Sequence, residues 1–198
     1  MKISLFVSLV ATGVLVMNLS TTAKEAAKPQ AAAAAPLNEE METLDGKKVN
    51  LAEKYKGQVV LLVNVASKCG LTPQYEQLEA IHEKYGKQGL AIVGVPCNQF
   101  AKQEPGTSAE ITEFCTKNYG VKFDLLGKVD VNGKEAAPLY KYLTSKESNP
   151  DFAGNITWNF EKFLFNRDGK VVARFSPKIK PDAPEVVKAI EAELAKKP

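Results

Sequence analysis

The feature that most limits what this chain can fold into is an apolar run of eight residues, VVLLVNVA, from Val59 to Ala66. A strand that is almost wholly apolar and rich in β-branched residues belongs in the centre of a parallel sheet, where helices cover both faces. A second run of this kind, Leu90 to Val95, follows after a segment with helical periodicity. Strand, helix and strand in this order predict a layered α/β fold whose core strands are parallel.

Further patterns place helices after both strands and a hairpin near the end of the chain. Thr72-Pro73 reads as an N-cap followed by a proline at the first helical position. The helix after the first strand shows an apolar face at Tyr75, Leu78, Ile81, His82 and Tyr85 and ends at Gly86, and a capping box at Thr107 and Glu110 opens a second helix that ends at Gly120. Two further helices are predicted, from Ala137 to Ser145 and, as an amphipathic helix, from Pro184 to Lys196. Hairpins are predicted around Asp45-Gly46 and Asp168-Gly169. This plan is typical of a thioredoxin-like sandwich, with a mixed central sheet flanked by helices.

The N-terminal part of the chain reads as a targeting segment. Residues 1–23 combine Lys2, an uncharged apolar run and small residues at a cleavage position, which predicts a secretory signal peptide or an uncleaved N-terminal anchor. Residues 24–36, KEAAKPQAAAAAP, lack apolar periodicity and are interpreted as a flexible linker. Residues 37–198 have the length of one domain. We therefore expect an exported protein, periplasmic or secreted, or held at the membrane if the signal is not cleaved.

Composition excludes several function classes. The net charge is +3 and the lysines are scattered, so nothing indicates a nucleic-acid partner or an acidic surface. Three cysteines are too few for a disulfide-stapled scaffold, and the odd count leaves at least one thiol without an internal partner. The single histidine, His82, falls on the apolar face of a predicted helix, which argues against a metal site and against Cys–His catalysis. We expect neither a metal nor a cofactor.

Cys69 is the strongest candidate for chemistry. It lies in VASKCGLTPQY, between the first core strand and its helix, at the end of the strand where ligands collect in open α/β sheets. Backbone N–H groups and the positive end of a helix dipole favour an anion there, which predicts a reactive thiolate on a loop rather than a thiol packed in the core. The alternative interpretation is a small buried hydrophobe, which describes most free cysteines. The motif is C-x-x-T, which disfavours a dithiol oxidoreductase of the C-x-x-C type.

Three blocks of sequence resemble the glutathione peroxidase family in its cysteine-containing, thioredoxin-dependent bacterial branch. They are NVASKCGLTPQYEQLEAIHEKY, GVPCNQFAKQEPG and WNFEKFLFNRDGKVVARFSP, and they occur in the family's order. The resemblance implies a peroxidatic cysteine at Cys69 surrounded by Gln103, Trp158 and Asn159. Amide and indole N–H groups donate to a thiolate without adding a competing charge, and they stabilise the leaving oxygen as the O–O bond breaks. Taken singly, Trp158 also fits a core position, Asn159 a turn and Gln103 a solvated loop.

The resemblance also implies how the oxidised sulfur is recycled. Reaction with peroxide leaves a sulfenic acid on Cys69, and the F-C-T block matches the family's resolving cysteine at Cys115. Because Cys115 falls on the apolar face of its helix, that helix must open locally before the two sulfurs meet; the alternative is pure packing. Cys97, at the end of a buried strand, is expected to be structural.

The expected function is reduction of hydrogen peroxide and organic hydroperoxides, with the disulfide re-reduced by a thioredoxin-like protein or by glutathione. Two absences favour the thioredoxin-like donor and a monomer or dimer. The segment Ser145 to Thr157 is short, and Arg167 and Arg174 are the only two arginines that could bind glutathione carboxylates. The alternatives that the residues leave open are a thiol-disulfide oxidoreductase of the same fold and a redox sensor that passes oxidation to a partner protein.

Overall fold

A five-stranded mixed sheet organises the computed structural model, which describes Met1 and residues 36–196. The strand order is β5-β4-β3-β6-β7. Strands β3, β4 and β5 are parallel, whereas β6 and β7 run antiparallel to their neighbours. The mixed sheet of a thioredoxin-like fold is therefore confirmed. Strands β1 and β2 form a separate two-stranded hairpin. The strands are β1 Glu40–Glu42, β2 Lys48–Asn50, β3 Val59–Val65, β4 Leu90–Pro96, β5 Asp124–Leu125, β6 Lys162–Phe165 and β7 Val171–Phe175.

Helices cover both faces of this sheet, and alternate residues of the central strands supply the two halves of the core. Val60 and Leu62 of β3 pack into one apolar cluster, whereas Val59, Leu61 and Val63 pack into the other. Every residue of β3 is buried, as the apolar run predicts for a central strand. The helices are α1 Leu51–Lys54, α2 Gln74–Tyr85, α3 Ser108–Tyr119, α4 Pro138–Thr144 and α5 Pro184–Leu194. Side chains of α1 and α4 lie in the first cluster, and those of α2, α3 and α5 lie in the second.

Most predicted helix ends are confirmed, with one correction at the start of α2. Thr107 and Glu110 form the capping box of α3, and Gly120 ends that helix in the left-handed region at φ 61°. The prediction that Thr72 is an N-cap is wrong, because α2 begins at Gln74 and has Pro73 at its N-cap. The Thr72 hydroxyl instead donates to the carbonyl of Ala66 at 2.8 Å, so it stabilises the preceding loop.

The N-terminal predictions lie mainly outside the described residues. The signal or anchor at 1–23 and most of the linker at 24–36 fall in that part. The exception is Pro36, which is buried with Leu37 in a short 3-10 turn, Pro36–Asn38, so this residue belongs to the folded domain and not to the linker. Within the described residues, no helix is both long and apolar enough to cross a bilayer.

Lys162 in β6 is a buried charge that the apolar pattern of its strand does not predict. Its side chain is fully buried, and its ammonium donates to the carbonyls of Pro177 and Ile179. Gln74, the first residue of α2, donates to the same Pro177 carbonyl at 2.8 Å. Burial lowers the pKa of Lys162 to about 7, since an ammonium in the protein interior loses its hydration.

Replacing Lys162 by methionine should remove a pH dependence of stability. The folded-state pKa lies near 7 and the unfolded value is the ordinary 10.5, so between these values the unfolded chain binds more protons than the native one. The free energy of unfolding of the wild type therefore rises with pH in this window, by an amount on the order of several kcal/mol. Urea denaturation at a series of pH values, comparing wild type with Lys162→Met, measures this rise directly. Lys170→Met, at an exposed position of the same hairpin, should keep the wild-type slope; equal slopes in Lys162→Met and the wild type would contradict the prediction.

Candidate active site

Cys69 lies just beyond the carboxyl end of β3, as predicted, but its environment differs from the expectation. The side chain is 8% exposed and belongs to the apolar cluster of α2 and α3, so it is not presented openly on a loop. The reason is that the loop folds back on itself. The Cys69 N–H donates to the Thr72 hydroxyl at 3.0 Å, and the Leu71 N–H points at the Cys69 sulfur at 3.4 Å. A backbone donor therefore faces this sulfur directly, five residues before α2 begins.

Hydrogen bonds connect the Cys69 loop to two other loops at the same edge of the sheet. The Lys68 N–H donates to the Gln103 carbonyl at 3.0 Å. The Asn159 side chain donates from Nδ2 to Gln103 Oε1 at 2.9 Å. Asn159 is fully buried and its Oδ1 has no hydrogen-bond partner, which is unusual for a buried amide. Gln103 and Asn159, 56 residues apart in sequence, therefore meet beside the loop that carries Cys69.

Trp158 faces outward, next to the buried Asn159. Its side chain is 38% exposed, and its ring lies against Phe100 with 5.6 Å between ring centroids. The alternative that Trp158 is an ordinary core residue is therefore wrong. Phe100 opens a tight turn in which Ala101 and Lys102 have φ values of 51° and 53°. Non-glycine residues rarely adopt this left-handed conformation, and such strain is found where a structure must hold a loop in one shape. Here the turn immediately precedes Gln103.

An ion pair anchors the segment that leads into Trp158. The Arg174 guanidinium donates to the carbonyls of all four residues 152–155, at 2.7 to 2.9 Å. It also pairs with the buried Glu161 carboxylate at 2.5 Å. The other oxygen of Glu161 accepts from the Thr157 N–H at 2.7 Å. A planar guanidinium with five N–H donors suits arginine to this task. Neither residue was among the predicted site residues, because nothing local in the sequence indicates these contacts.

The three cysteines are free thiols, and packing separates them into two groups. Cys115, fully buried in α3, lies in the same apolar cluster as Cys69. Cys97 lies in the other cluster, beyond the sheet. Burial raises the pKa of Cys115 to about 11. Burial also raises the pKa of Cys97. Cys115 is thus the thiol that shares a side of the sheet with Cys69.

A buried acid that sequence reasoning missed follows Gln103. The Glu104 side chain is fully buried, and its Oε2 accepts from the Ser67 hydroxyl at 3.1 Å. Burial raises the pKa of Glu104, which reduces the negative charge that this carboxyl brings near the Cys69 loop. A cavity of about 310 Å³ opens beside it, between the Cys69 loop and the first turns of α3. In the sequence, the position of Glu104 in the K-Q-E-P-G block was the only signal for this residue.

His82 packs against an aromatic side chain. The His82 ring is half-buried and lies edge-on to Phe123, at 6.1 Å between centroids. Among the residues that the structure describes, no three His, Cys, Asp or Glu side chains come close enough to hold a metal ion. One nearly buried sulfur, faced by a backbone N–H, lies on a loop that is hydrogen-bonded to the loop of Gln103, whose side chain bonds in turn to Asn159. These features define a thiol-based oxidoreductase of thioredoxin-like fold with a single nucleophilic cysteine in its active-site loop.

Comparison with known proteins narrows this class. The sequence model of the family described as glutathione peroxidase matches residues 37–144, and the chain belongs to this family. It is 54% identical over 142 residues to a glutathione peroxidase of Lactococcus lactis, covering 72% of this chain and 89% of the relative. It is 46% identical over 172 residues to the thioredoxin/glutathione peroxidase BtuE of Escherichia coli, covering 77% and 93%.

Solved structures agree with this assignment. The crystal structure of Trgpx in its apo form superposes with a TM-score of 0.66 at 34% identity, covering 83% of this chain and 99% of that one. The resemblance carried by the three sequence blocks is therefore confirmed, and the chain is a thiol peroxidase.

Proposed function

We propose that the chain reduces hydrogen peroxide and organic hydroperoxides through Cys69, with Gln103, Trp158 and Asn159 as the surrounding hydrogen-bonding groups. The observation that carries this proposal is the set of contacts that converge on one loop. The Lys68 N–H donates to the Gln103 carbonyl, and the Asn159 side chain donates to the Gln103 side chain. Trp158 immediately precedes Asn159 in the chain. Uncharged N–H donors placed around a sulfur stabilise its anion and the oxygen anion that leaves during the reaction.

The first step is a displacement at oxygen. The Cys69 thiolate attacks the terminal oxygen of R-O-O-H, an S–O bond forms, and the O–O bond breaks. The leaving RO⁻ takes up a proton to give the alcohol, or water when the substrate is hydrogen peroxide. Sulfur loses two electrons in this step, and Cys69 becomes a sulfenic acid.

We assign Cys115 as the resolving thiol. Its sulfur bonds to the sulfur of the sulfenic acid, the S–O bond breaks, and hydroxide leaves with the Cys115 proton as water. Cys115 shares the apolar cluster with Cys69, whereas Cys97 does not. Because Cys115 is fully buried in the middle of α3, part of that helix must open before the disulfide forms.

A thioredoxin-like dithiol is the proposed electron donor, with glutathione as the second choice. The E. coli relative is named for both reductants. Both arginines of this chain are engaged in internal contacts: Arg174 holds residues 152–155, and Arg167 donates to carbonyls at Gly57, Leu194 and Lys196. This leaves no arginine to bind the carboxylates of glutathione. We further propose that the protein is exported and acts as a monomer or dimer, from the signal-like residues 1–23 and the short segment before Trp158.

Peroxide consumption with two alternative donors tests the proposal. The wild-type protein should consume hydrogen peroxide and cumene hydroperoxide with thioredoxin and its reductase, and more slowly with glutathione and its reductase. An insulin-reduction assay run in parallel should give no activity, since the Cys69 loop lacks a second cysteine. Insulin reduction without peroxide consumption would refute the proposal and favour a thiol-disulfide oxidoreductase.

A further inference from the structure

Asn64 is a polar residue inside the most apolar strand of the protein. It is 1% exposed and lies in β3, five residues before Cys69. Burying an amide without hydrogen bonds is costly, so its partners carry information about its role. Both hydrogen-bond partners of the Asn64 side chain are backbone groups, not side chains of the proposed site.

Four hydrogen bonds join Asn64 to the segment Trp158 to Glu161. Its backbone N–H donates to the Glu161 carbonyl at 3.3 Å, and its carbonyl accepts from the Phe160 N–H at 2.6 Å. Its side chain donates from Nδ2 to the Trp158 carbonyl at 2.9 Å. The side-chain Oδ1 accepts from the Glu161 N–H at 3.0 Å. Both ends of the amide are therefore satisfied by one short piece of backbone.

The position of these bonds explains why an amide is needed there. Regular pairing of β3 with β6 ends at Val63 opposite Lys162, one residue before Asn64. The segment that leads into β6 turns away from β3 before this point, because Phe160 adopts the left-handed conformation at φ 66°. If the pairing stayed regular, backbone groups of the neighbouring strand would bond to the Trp158 carbonyl and the Glu161 N–H. The Asn64 side chain takes their place.

This turn separates two neighbouring side chains. Trp158 is 38% exposed and Asn159 is fully buried. The strained conformation at Phe160 persists only where surrounding contacts hold it. The Phe160 N–H bond to Asn64 and the edge-on contact of its ring with Tyr75, at 5.5 Å between centroids, are such contacts.

We propose that Asn64 is a positioning residue, whose side chain holds the Trp158–Glu161 turn and thereby sets Trp158 and Asn159 against the loop that carries Cys69. The contacts close a circuit. The strand of Asn64 leads to the Cys69 loop, this loop bonds to Gln103, Gln103 bonds to Asn159, and the adjoining Trp158 returns to Asn64. The inference rests on the proposed function, because it assigns a role in aligning the groups around Cys69.

Two variants test the proposal. Asn64→Leu keeps the branched shape and the number of heavy atoms of the side chain but removes both hydrogen bonds. Asn64→Asp keeps an acceptor for the Glu161 N–H but places a second acceptor against the Trp158 carbonyl. In both, the second-order rate constant for oxidation of Cys69 by hydrogen peroxide should fall between about tenfold and a hundredfold at neutral pH, because displacements near 1 Å have effects of this size. The fluorescence of Trp158, the only tryptophan, should shift to longer wavelength as the ring leaves Phe100.

The pH profile separates positioning from a general loss of structure. In Asn64→Asp, the carboxyl at this position donates to the Trp158 carbonyl again once it is protonated. The ratio of the Asn64→Asp rate to the wild-type rate should therefore rise as the pH falls from about 8 to about 5. The Asn64→Leu ratio should stay flat. Lys162 lies beside this position and has its pKa lowered by burial to about 7, and the Glu161–Arg174 pair is also close. All three groups are present in every protein compared, so a rise that occurs in the Asn64→Asp ratio and not in the Asn64→Leu ratio reports the introduced carboxyl.

Asn149→Asp is the matched control. Asn149 is also buried and donates from its amide to the Leu143 carbonyl at 2.9 Å, so the same chemical change is made away from the Cys69 loop. It should lower the free energy of unfolding but leave the Trp158 emission and the oxidation rate unchanged. Wild-type emission and rate in Asn64→Leu, in folded protein, would overturn the proposal. A wild type that does not react with peroxide would refute the proposed function instead, and Asn64 would still be judged by the Trp158 emission.

Discussion

Cys69→Ser should abolish peroxide reduction with every electron donor, by roughly three orders of magnitude or more, as expected when the nucleophile of a covalent mechanism is removed. A serine hydroxyl is not ionised near neutral pH and does not form a sulfenic acid, so neither step of the cycle is available. The substitution is nearly isosteric, and the backbone contacts of residue 69 with Thr72 remain. The measurement is hydrogen peroxide consumption in the presence of thioredoxin or glutathione, together with mass spectrometry of the protein after one equivalent of peroxide.

Cys97→Ser is the matched control for this prediction. Cys97 is also a buried thiol at the end of a core strand, but it lies in the apolar cluster on the other side of the sheet. Peroxidase turnover of Cys97→Ser, measured per folded molecule, should equal that of the wild type. If Cys97→Ser lost activity while Cys69→Ser kept it, the peroxidatic assignment would be wrong.

Local sequence signals were sufficient for most of the fold because they report interactions between neighbours in the chain. The capping box at Thr107 and Glu110 is formed within one turn of helix, so four residues of sequence contain all of its partners. The central strands likewise show their burial in runs that are almost wholly apolar. The short strand β5, Asp124–Leu125, has no such pattern, since its conformation depends on pairing with β4.

Two predictions near the site failed because the residues have partners that the helical pattern does not show. Thr72 was predicted to cap α2, but its hydroxyl is used by Cys69 and Ala66 in the loop. Cys69 was expected on a loop rather than packed in the core, but it belongs to the apolar cluster that includes Tyr75 and Phe160. Contacts within the loop override the local preference of Thr72, and packing against the core overrides that of Cys69.

The supporting residues of the site could not be found from the sequence alone. Asn64 in β3 and Arg174 in β7 contact the segment around Trp158 from other strands, and Asn64 is 94 residues from Trp158 in sequence. No spacing rule connects a residue in β3 with a turn before β6. The sequence blocks predict which residues carry chemistry, whereas only the structure shows what contacts them.

Cys115→Ser should separate the two halves of the catalytic cycle. Reaction with one equivalent of hydrogen peroxide should proceed at the wild-type rate, because Cys115 is not part of the hydrogen-bonded circuit that joins Cys69, Gln103 and Asn159. Turnover supported by thioredoxin should fall by about tenfold or more, since no disulfide forms for a dithiol to reduce and excess peroxide carries the sulfenic acid on to sulfinic acid. Stopped-flow mixing measures the first step, dimedone labelling detects the persisting sulfenic acid, and the coupled thioredoxin assay measures turnover.

The control for this variant must allow for its effect on packing. Cys115 is fully buried in α3 beside Tyr75, and a serine hydroxyl there lowers stability by about 1–3 kcal/mol if it finds no partner. Cys115→Ala avoids that buried hydroxyl and should lose thioredoxin-supported turnover to the same extent, so agreement between the two variants shows that the missing thiol is the cause. Burial raises the pKa of Cys115 to about 11, so in the closed structure its thiol is protonated and unreactive at neutral pH. Disulfide formation in the wild type should therefore be slower than the first oxidation and limited by local opening of α3. Full thioredoxin-supported turnover in either variant would refute the assignment of Cys115 as the resolving cysteine.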